Sequence, residues 1–357
     1  METVYRDYSP KGVQFFYLYK ALAHPEHLGY VRPVTLGERL MHIKEAERTL
    51  GSGITWICDT MSNDLKHAIG NAPNSEYVLD PEGKIFVKRA WSDPEELRKD
   101  LERLVGPVEK PTSVADLDMK VADPPREAPV GIVPRPTVPG NMKALRLSPQ
   151  LEKSRHPFYV KARVEASAEF VEGGRGMLYL GFHLDPLYGV HWNNLVAPLQ
   201  FELFPPDGVI VSPSKASGPK VKAETDADPR EFLLVADRGG SDEPMRLSVR
   251  YFACTDKACF PVTQEYLIHW DVDEDGGRPN RRPRSERGRP AEAGSPGSMV
   301  ERMMSRDANG DGKLSRDELP TRVQRRFDRM DTNGDGFVDQ AELKETAQRI
   351  RSQRRPE

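Results

Sequence analysis

Two stretches near the carboxyl end space their oxygen-bearing side chains as a hard divalent cation requires. They read DANGDGKLSRDE over residues 307–318 and DTNGDGFVDQAE over residues 331–342. A cation of calcium's size takes about six to eight oxygen ligands. Positions 1, 3 and 5 supply Asp307, Asn309 and Asp311 in the first stretch, and Asp331, Asn333 and Asp335 in the second. Position 7 supplies a backbone carbonyl, from Lys313 and Phe337, so the side chain there is free to vary. Position 9, Ser315 or Asp339, acts directly or through a water, and Glu318 and Glu342 close each loop with both carboxylate oxygens. Gly312 and Gly336 stand at the sharp turn, where a positive φ favours glycine. The first loop offers three ligand carboxylates and the second four, so the second is expected to bind calcium more tightly.

Each loop matches D-x-N-x-D-G-x-x-[S/D]-x-x-E at every ligand position, and the stretch over residues 298–353 resembles an α-helical EF-hand pair. The loops begin only 24 residues apart, at Asp307 and Asp331, which leaves too little chain for two full helices between them. Pro320 disfavours α conformation at Leu319, so the exit helix of the first loop is expected to stop there. A helix over Thr321–Met330, with Val323, Phe327 and Met330 on one face, would then enter the second loop. Leu314 and Val338, at position 8 of each loop, would pair as a short β-bridge. The alternative is one continuous helix with the loops at its two ends.

A second chemistry is carried by cysteine. Cys254 and Cys259 bracket Thr255–Ala258, a normal hairpin loop length. Cysteines directly opposed in a hairpin have Cα atoms about 5.5 Å apart, within disulfide reach. A bridge closing so small a loop restricts the unfolded chain little, so thiol–disulfide exchange stands beside an inert structural bridge or two reduced thiols at a strand end as readings. The third cysteine, Cys58, ends an apolar run and reads as a small buried hydrophobe.

The elements that carry these residues follow from periodicity and punctuation. With 37% hydrophobic residues and 31 prolines in 357 positions, a sizeable part of the chain is expected to be linker. A net charge of −3 argues neither for nor against nucleic acid. No apolar run approaches the ~18 residues of a membrane span. Residues METVYRDY lack the basic-then-apolar order of a secretion signal, which taken literally places the chain in the cytoplasm.

Over residues 1–108, Val13–Tyr19 and Ile54–Cys58 read as strands and Leu36–Leu50 and Asp64–Ile69 as helices. Tyr77–Leu79 and Ile85–Lys88 form a hairpin across Pro81–Lys84, and Ser92 or Asp93 caps a last helix running to Val105. This alternation suggests an α/β sandwich of the thioredoxin kind. Tyr19, Ala23-His24-Pro25 and the Pro73 stretch PNSEYVLDPEGKI resemble the iodothyronine deiodinase family and its bacterial thioredoxin-like relatives. That resemblance implies a redox cysteine or selenocysteine on a strand before the first helix. The chain as given starts inside that helix, and Leu22 stands where the family carries an acidic residue, so the domain is incomplete. It also implies a pocket lined by His24, with a surface loop His as the alternative, and a cis-proline at Pro73, with an ordinary turn as the alternative.

Residues 142–272 carry short strand-like runs at Phe158–Ala166, Met177–Leu184, Leu199–Phe204, Glu231–Ala236, Leu247–Ala253 and Gln264–Trp270, which suggest an immunoglobulin-like β-sandwich. HWNN at His191–Asn194, the Phe201–Gly208 run and VRYFACTDKACFPV resemble the N-terminal domain of the thiol:disulfide interchange protein DsbD. That resemblance implies a redox role for Cys254 and Cys259, a protein thiol–disulfide partner, and a periplasmic or other extracytoplasmic setting. The membrane and thioredoxin modules that feed such a domain are missing from this chain. Residues 109–141 read as a proline-rich extended spacer and residues 273–297 as a Gly/Pro/Arg linker. The second carries Arg278, Arg281, Arg282, Arg284, Arg287 and Arg289 with no interleaved aromatics, so nucleic acid is not expected as a partner.

The sequence thus predicts a multidomain α+β protein: an incomplete thioredoxin-like domain, an immunoglobulin-like sandwich and an EF-hand pair. Its expected function is calcium binding by a bacterial protein, with upstream redox-related domains that are non-catalytic or incomplete. The alternative is a thiol–disulfide or deiodinase-like oxidoreductase.

Overall fold

The computed structural model describes residues 1–22, 24–25, 29–117, 119, 122, 128–139, 142–277, 313–316, 319, 324, 327–339, 341–343 and 345–346. The chain is mixed α and β, mostly strand, and divides into two compact units, Met1–Arg281 and Arg282–Glu357. The arginines of the second linker, from Arg278 to Arg289, lie outside the described residues. No helix among the described residues is long and apolar enough to cross a membrane.

The first unit opens with α1 (Glu2–Tyr8), β1 (Phe16–Tyr19), α2 (Leu36–Leu50), β2 (Thr55–Cys58), α3 (Asp64–Ile69), β3 (Glu76–Leu79), β4 (Ile85–Arg89) and α4 (Pro94–Val105). Local chemistry sets the helix ends. The Thr35 hydroxyl accepts from the Glu38 amide at the start of α2, and Gly51 closes it with φ 60°. Asp93 accepts from the Glu95 and Glu96 amides to start α4, with Pro94 in the first turn. One face of α1 buries Val4 and Tyr8 against Val78, Leu97 and Leu101.

The strands of this segment depart from the expected single sheet. β1 pairs with β2 in parallel and β3 with β4 antiparallel, and among the described residues no ladder joins the two pairs. Pro73 takes the turn alternative: Ser212–Pro213 is the cis bond found among the described residues, and Pro73 lies in a turn with Ala72–Pro73 trans. The Ala72 carbonyl accepts from Lys20 Nζ at 3.0 Å.

The rest of the unit is built from β5 (Lys143–Pro149), β6 (Val160–Ala166), α5 (Ala168–Gly173), β7 (Arg175–Leu184), β8 (Trp192–Asn193), β9 (Gln200–Phe204), β10 (Ile210–Ser212), β11 (Lys215–Ser217), β12 (Thr225–Asp226), β13 (Arg230–Asp237), β14 (Met245–Cys254) and β15 (Cys259–Val272). Nine of these strands form one antiparallel sheet in the order β10-β13-β7-β6-β5-β15-β14-β9-β11. β5 is the crease. Its first residues pair with β6 and its later ones with β15, so the sheet bends there and its two halves face each other. Phe182 and Phe232 from one half meet Phe201 from the other, with ring centres 6.0 and 4.8 Å from it. Val160, Leu180, Met245, Leu247, Val249 and Ile268 are fully buried between the halves. β9, β14 and the middle of β15 bury alternate residues, the period-2 pattern of a one-sided sheet, whereas β6 and β7 are buried almost throughout.

The α/β segment is joined to this sheet mainly by polar contacts, with Val34 packing against the sheet's apolar core. Glu38 Oε1 accepts from Lys161 Nζ at 2.6 Å and from the Tyr188 hydroxyl at 2.9 Å, with Asp185 3.4 Å from the same ammonium. Asp275 holds Asn63, Lys66 and His67, and Asp273 pairs with Arg32. The proline-rich stretch is also fastened. The Asp228 carboxylate accepts from three successive amides, Gly131, Ile132 and Val133, at 2.5, 2.5 and 2.9 Å. Arg135 forms a two-pronged pair with Glu231.

Candidate calcium site

The second unit centres on a small apolar cluster of Leu314, Leu319, Phe327, Met330, Val338 and Leu343. β16 (Lys313–Leu314) and β17 (Val338–Asp339) pair antiparallel, with Leu314 opposite Val338 and Lys313 opposite Asp339. This is the paired arrangement expected from position 8 of each loop, rather than two loops at opposite ends of one helix. α6 (Phe327–Met330) delivers the chain into the second loop, with Phe327 and Met330 turned to the cluster. Residues 341–343 are helical on the far side. Of the expected first-loop ligands, Asp307, Asn309, Asp311 and Glu318 lie outside the described residues, as do Gly312, Pro320 and Val323. Ser315 follows β16 and is half-buried.

The second loop is described from Asp331 to Asp339 and again at Ala341–Leu343. Its carboxylates are turned onto the loop's own N–H groups. Asp331 Oδ1 accepts from Gly334 at 2.7 Å and Asp335 at 3.2 Å, and its Oδ2 from Gly336 at 2.9 Å. Asn333 Oδ1 accepts from Asp335 N, Asp335 Oδ1 from Phe337 N, and Asp339 Oδ1 from Ala341 N and Glu342 N. Glu342 is 5% exposed and spans the loop, Oε1 accepting from the Thr332 and Asn333 amides and Oε2 from the Asp339 amide. Gly334 and Gly336 take φ of 73° and 82°.

Among the described residues no three His, Cys, Asp or Glu side chains close on a common point fit for a metal. The donor set nevertheless suits a hard cation: four side chains offering oxygen (Asp331, Asn333, Asp335 and Asp339), a Phe337 carbonyl, and the buried Glu342 carboxylate at the last position aimed across the loop. Bound there, calcium would supply a divalent charge around which those oxygens turn inward from the amides.

One contact reaches the loop from its neighbour. Lys313 Nζ donates to Asp335 Oδ2 at 2.9 Å and lies 5.6 Å from the centre of the Phe337 ring. That hydrogen bond holds the Asp335 carboxyl below the usual carboxylate range. Sequence reasoning gave Lys313 only a backbone role, and the ligand spacing carries no signal for its side chain.

The cysteine hairpin forms as expected. Cys254 and Cys259 are directly opposed in the β14–β15 ladder, Cα atoms 4.0 Å apart and sulfurs joined. Cys254 is fully buried and Cys259 exposed, with the Asn193 amide 3.5 Å from the Cys259 sulfur. The His191 backbone bridges to Cys254, which brings the HWNN stretch to the hairpin. Cys58 differs from the buried expectation: it ends β2 half-buried, its thiol 3.4 Å from the Asp59 carbonyl, and burial pushes the thiol pKa up. His24 is exposed.

The EF-hand family model matches the chain at residues 307–321 and 323–345. The carboxyl-terminal stretch is therefore EF-hand sequence, a class whose loops bind calcium. No curated protein and no solved structure matches the chain.

Proposed function

We propose that the protein binds calcium through two EF-hand loops. The first uses Asp307, Asn309, Asp311, Lys313, Ser315 and Glu318; the second uses Asp331, Asn333, Asp335, Phe337, Asp339 and Glu342. The observation that carries this reading is the second loop, whose oxygen ligands come at the required spacing in a stretch matched by the family model. Calcium would order the carboxyl-terminal unit rather than switch an enzyme. Titration of the full chain by calorimetry should give two sites, the second tighter. Glu342→Gln should remove the tighter one and Glu318→Gln the weaker. No calcium uptake at millimolar concentration would refute the proposal.

The upstream modules are proposed as a thioredoxin-like domain over 1–108, a linker over 109–141, an immunoglobulin-like domain over 142–272 and a second linker over 273–297, ahead of the EF-hand pair at 298–353. The hairpin disulfide supports an oxidising, extracytoplasmic setting. It also favours a second reading, thiol–disulfide exchange with a protein partner, because Cys259 is open to approach. A Cys254–Cys259 potential above about −300 mV would support that reading, and one below it an inert bridge.

A further inference from the structure

Asp335 offers the second loop its ligand at position 5, and both of its oxygens are engaged: Oδ1 by the Phe337 amide and Oδ2 by the Lys313 ammonium. The first contact is local to the loop's own turn. The second comes from the neighbouring loop, and the β16–β17 register produces it. Pairing Lys313 with Asp339 and Leu314 with Val338 sets the lysine stem alongside the second loop, where the Phe337 ring supports it. A tethered monovalent cation thus sits on an oxygen that a divalent ion would use.

We infer that Lys313 is a built-in competitor for calcium at the second loop, displaced from Asp335 Oδ2 when the ion enters. The inference rests on the calcium reading of that loop and adds the residue that tunes it. Calcium must first break the Lys313–Asp335 pair, so the loop with four carboxylates binds more weakly than its charge alone dictates. The two side chains are 45% and 37% exposed, so solvent screens the pair and the competition is modest. Lys313 also contributes the position-7 carbonyl of the first loop. The same residue therefore belongs to one site by its backbone and opposes the other by its side chain.

The test uses the full chain carrying Glu318→Gln, so that calorimetry reports the second loop alone. Adding Lys313→Met keeps the stem against Phe337 and removes the charge, and should tighten calcium binding by about two- to fivefold. Lys313→Arg keeps the charge and should leave the affinity near that of the lysine protein. A second readout is the Lys313 side-chain amine resonance, which should shift as the second loop fills and stay fixed when Glu342→Gln disables it. Equal or weaker binding by the Lys313→Met chain overturns the competitor role alone. If the Glu318→Gln chain takes up no calcium, the calcium reading of the loop falls and the competitor role falls with it.

Discussion

The two halves of the first unit are held together by different forces. The nine-stranded sheet closes over a continuous apolar core: Leu247, Met245 and Val249 are fully buried, and Trp270 is only 8% exposed. The α/β segment buries a far smaller cluster around Val4, Tyr8, Val78, Leu97 and Leu101. It leaves Phe16, Leu79, Ile85 and Phe86 largely in water, and Trp91 67% exposed. Its position against the sheet relies on Glu38 with Lys161, Asp275 with Asn63 and Lys66, and Arg32 with Asp273. Apolar burial is non-directional and gains with area, whereas buried ion pairs give little net stability but fail badly when one partner is removed. The sheet should therefore tolerate much and fail globally, and the segment should be sensitive to single charges.

The sharpest way to break that contrast is Leu247→Ala, which empties a fully buried site and should cost about 3–5 kcal/mol. Urea unfolding followed by tryptophan fluorescence should shift in one step for the whole unit. Lys161→Met should cost a similar ~3–5 kcal/mol by stranding the Glu38 and Asp185 carboxylates, both at most 3% exposed. Its signature differs, because hydrogen exchange should accelerate in α2 while β14 and β15 stay protected. Equal protection in both regions would show that the two halves do not differ as described.

A third effect comes from pH. His42 lies buried on α2, its Nδ1 2.7 Å from the Tyr19 hydroxyl, and burial pushes its pKa down to about 4, with Lys161 and Arg39 adding to the shift and Glu38 opposing it. The unfolded chain takes its proton near pH 6.5, so the neutral ring contributes stability that is full above that value. That stability is lost as pH falls from about 6.5 toward 4, up to about 3 kcal/mol in total. Burial raises the Asp185 carboxyl and so opposes the trend at the acid end. His42→Gln should flatten the slope of the urea midpoint between pH 7 and 5, and an unchanged slope would remove His42 as its cause. The smallest change expected is a gain. Gln264 is 1% exposed, and neither its amide nitrogen nor its carbonyl oxygen has a hydrogen-bond partner among the described residues, so Gln264→Met should stabilise by about 1 kcal/mol in thermal unfolding.

What the sequence disclosed was the chemistry that acts within a few residues. Periodicity put α2 and α3 where they form, and Asp93 announced α4, so these helices begin and end where the sequence places them. The main strands of the sheet fall within a few residues of their alternating runs, because a one-sided sheet writes its pattern into the chain. β5 escaped notice, since KALRLSP divides its pairing between two partners and shows no single face. The separation of β1–β2 from β3–β4 was equally hidden, because pairing between distant strands leaves no local trace. Lys161 meeting Glu38 across 123 positions, and Lys313 meeting Asp335 across 22, depend on how elements come together in space.

The chain leaves β15 through Asp273 and Asp275, whose carboxylates grip Arg32, Asn63 and Lys66 before the sequence runs on toward the carboxyl-terminal loops. Mechanical tension applied from that end would load this clasp before it reached either hydrophobic interior. Under stretch, the amino-terminal portion would be tugged sideways off its neighbour while the β-structure remained intact.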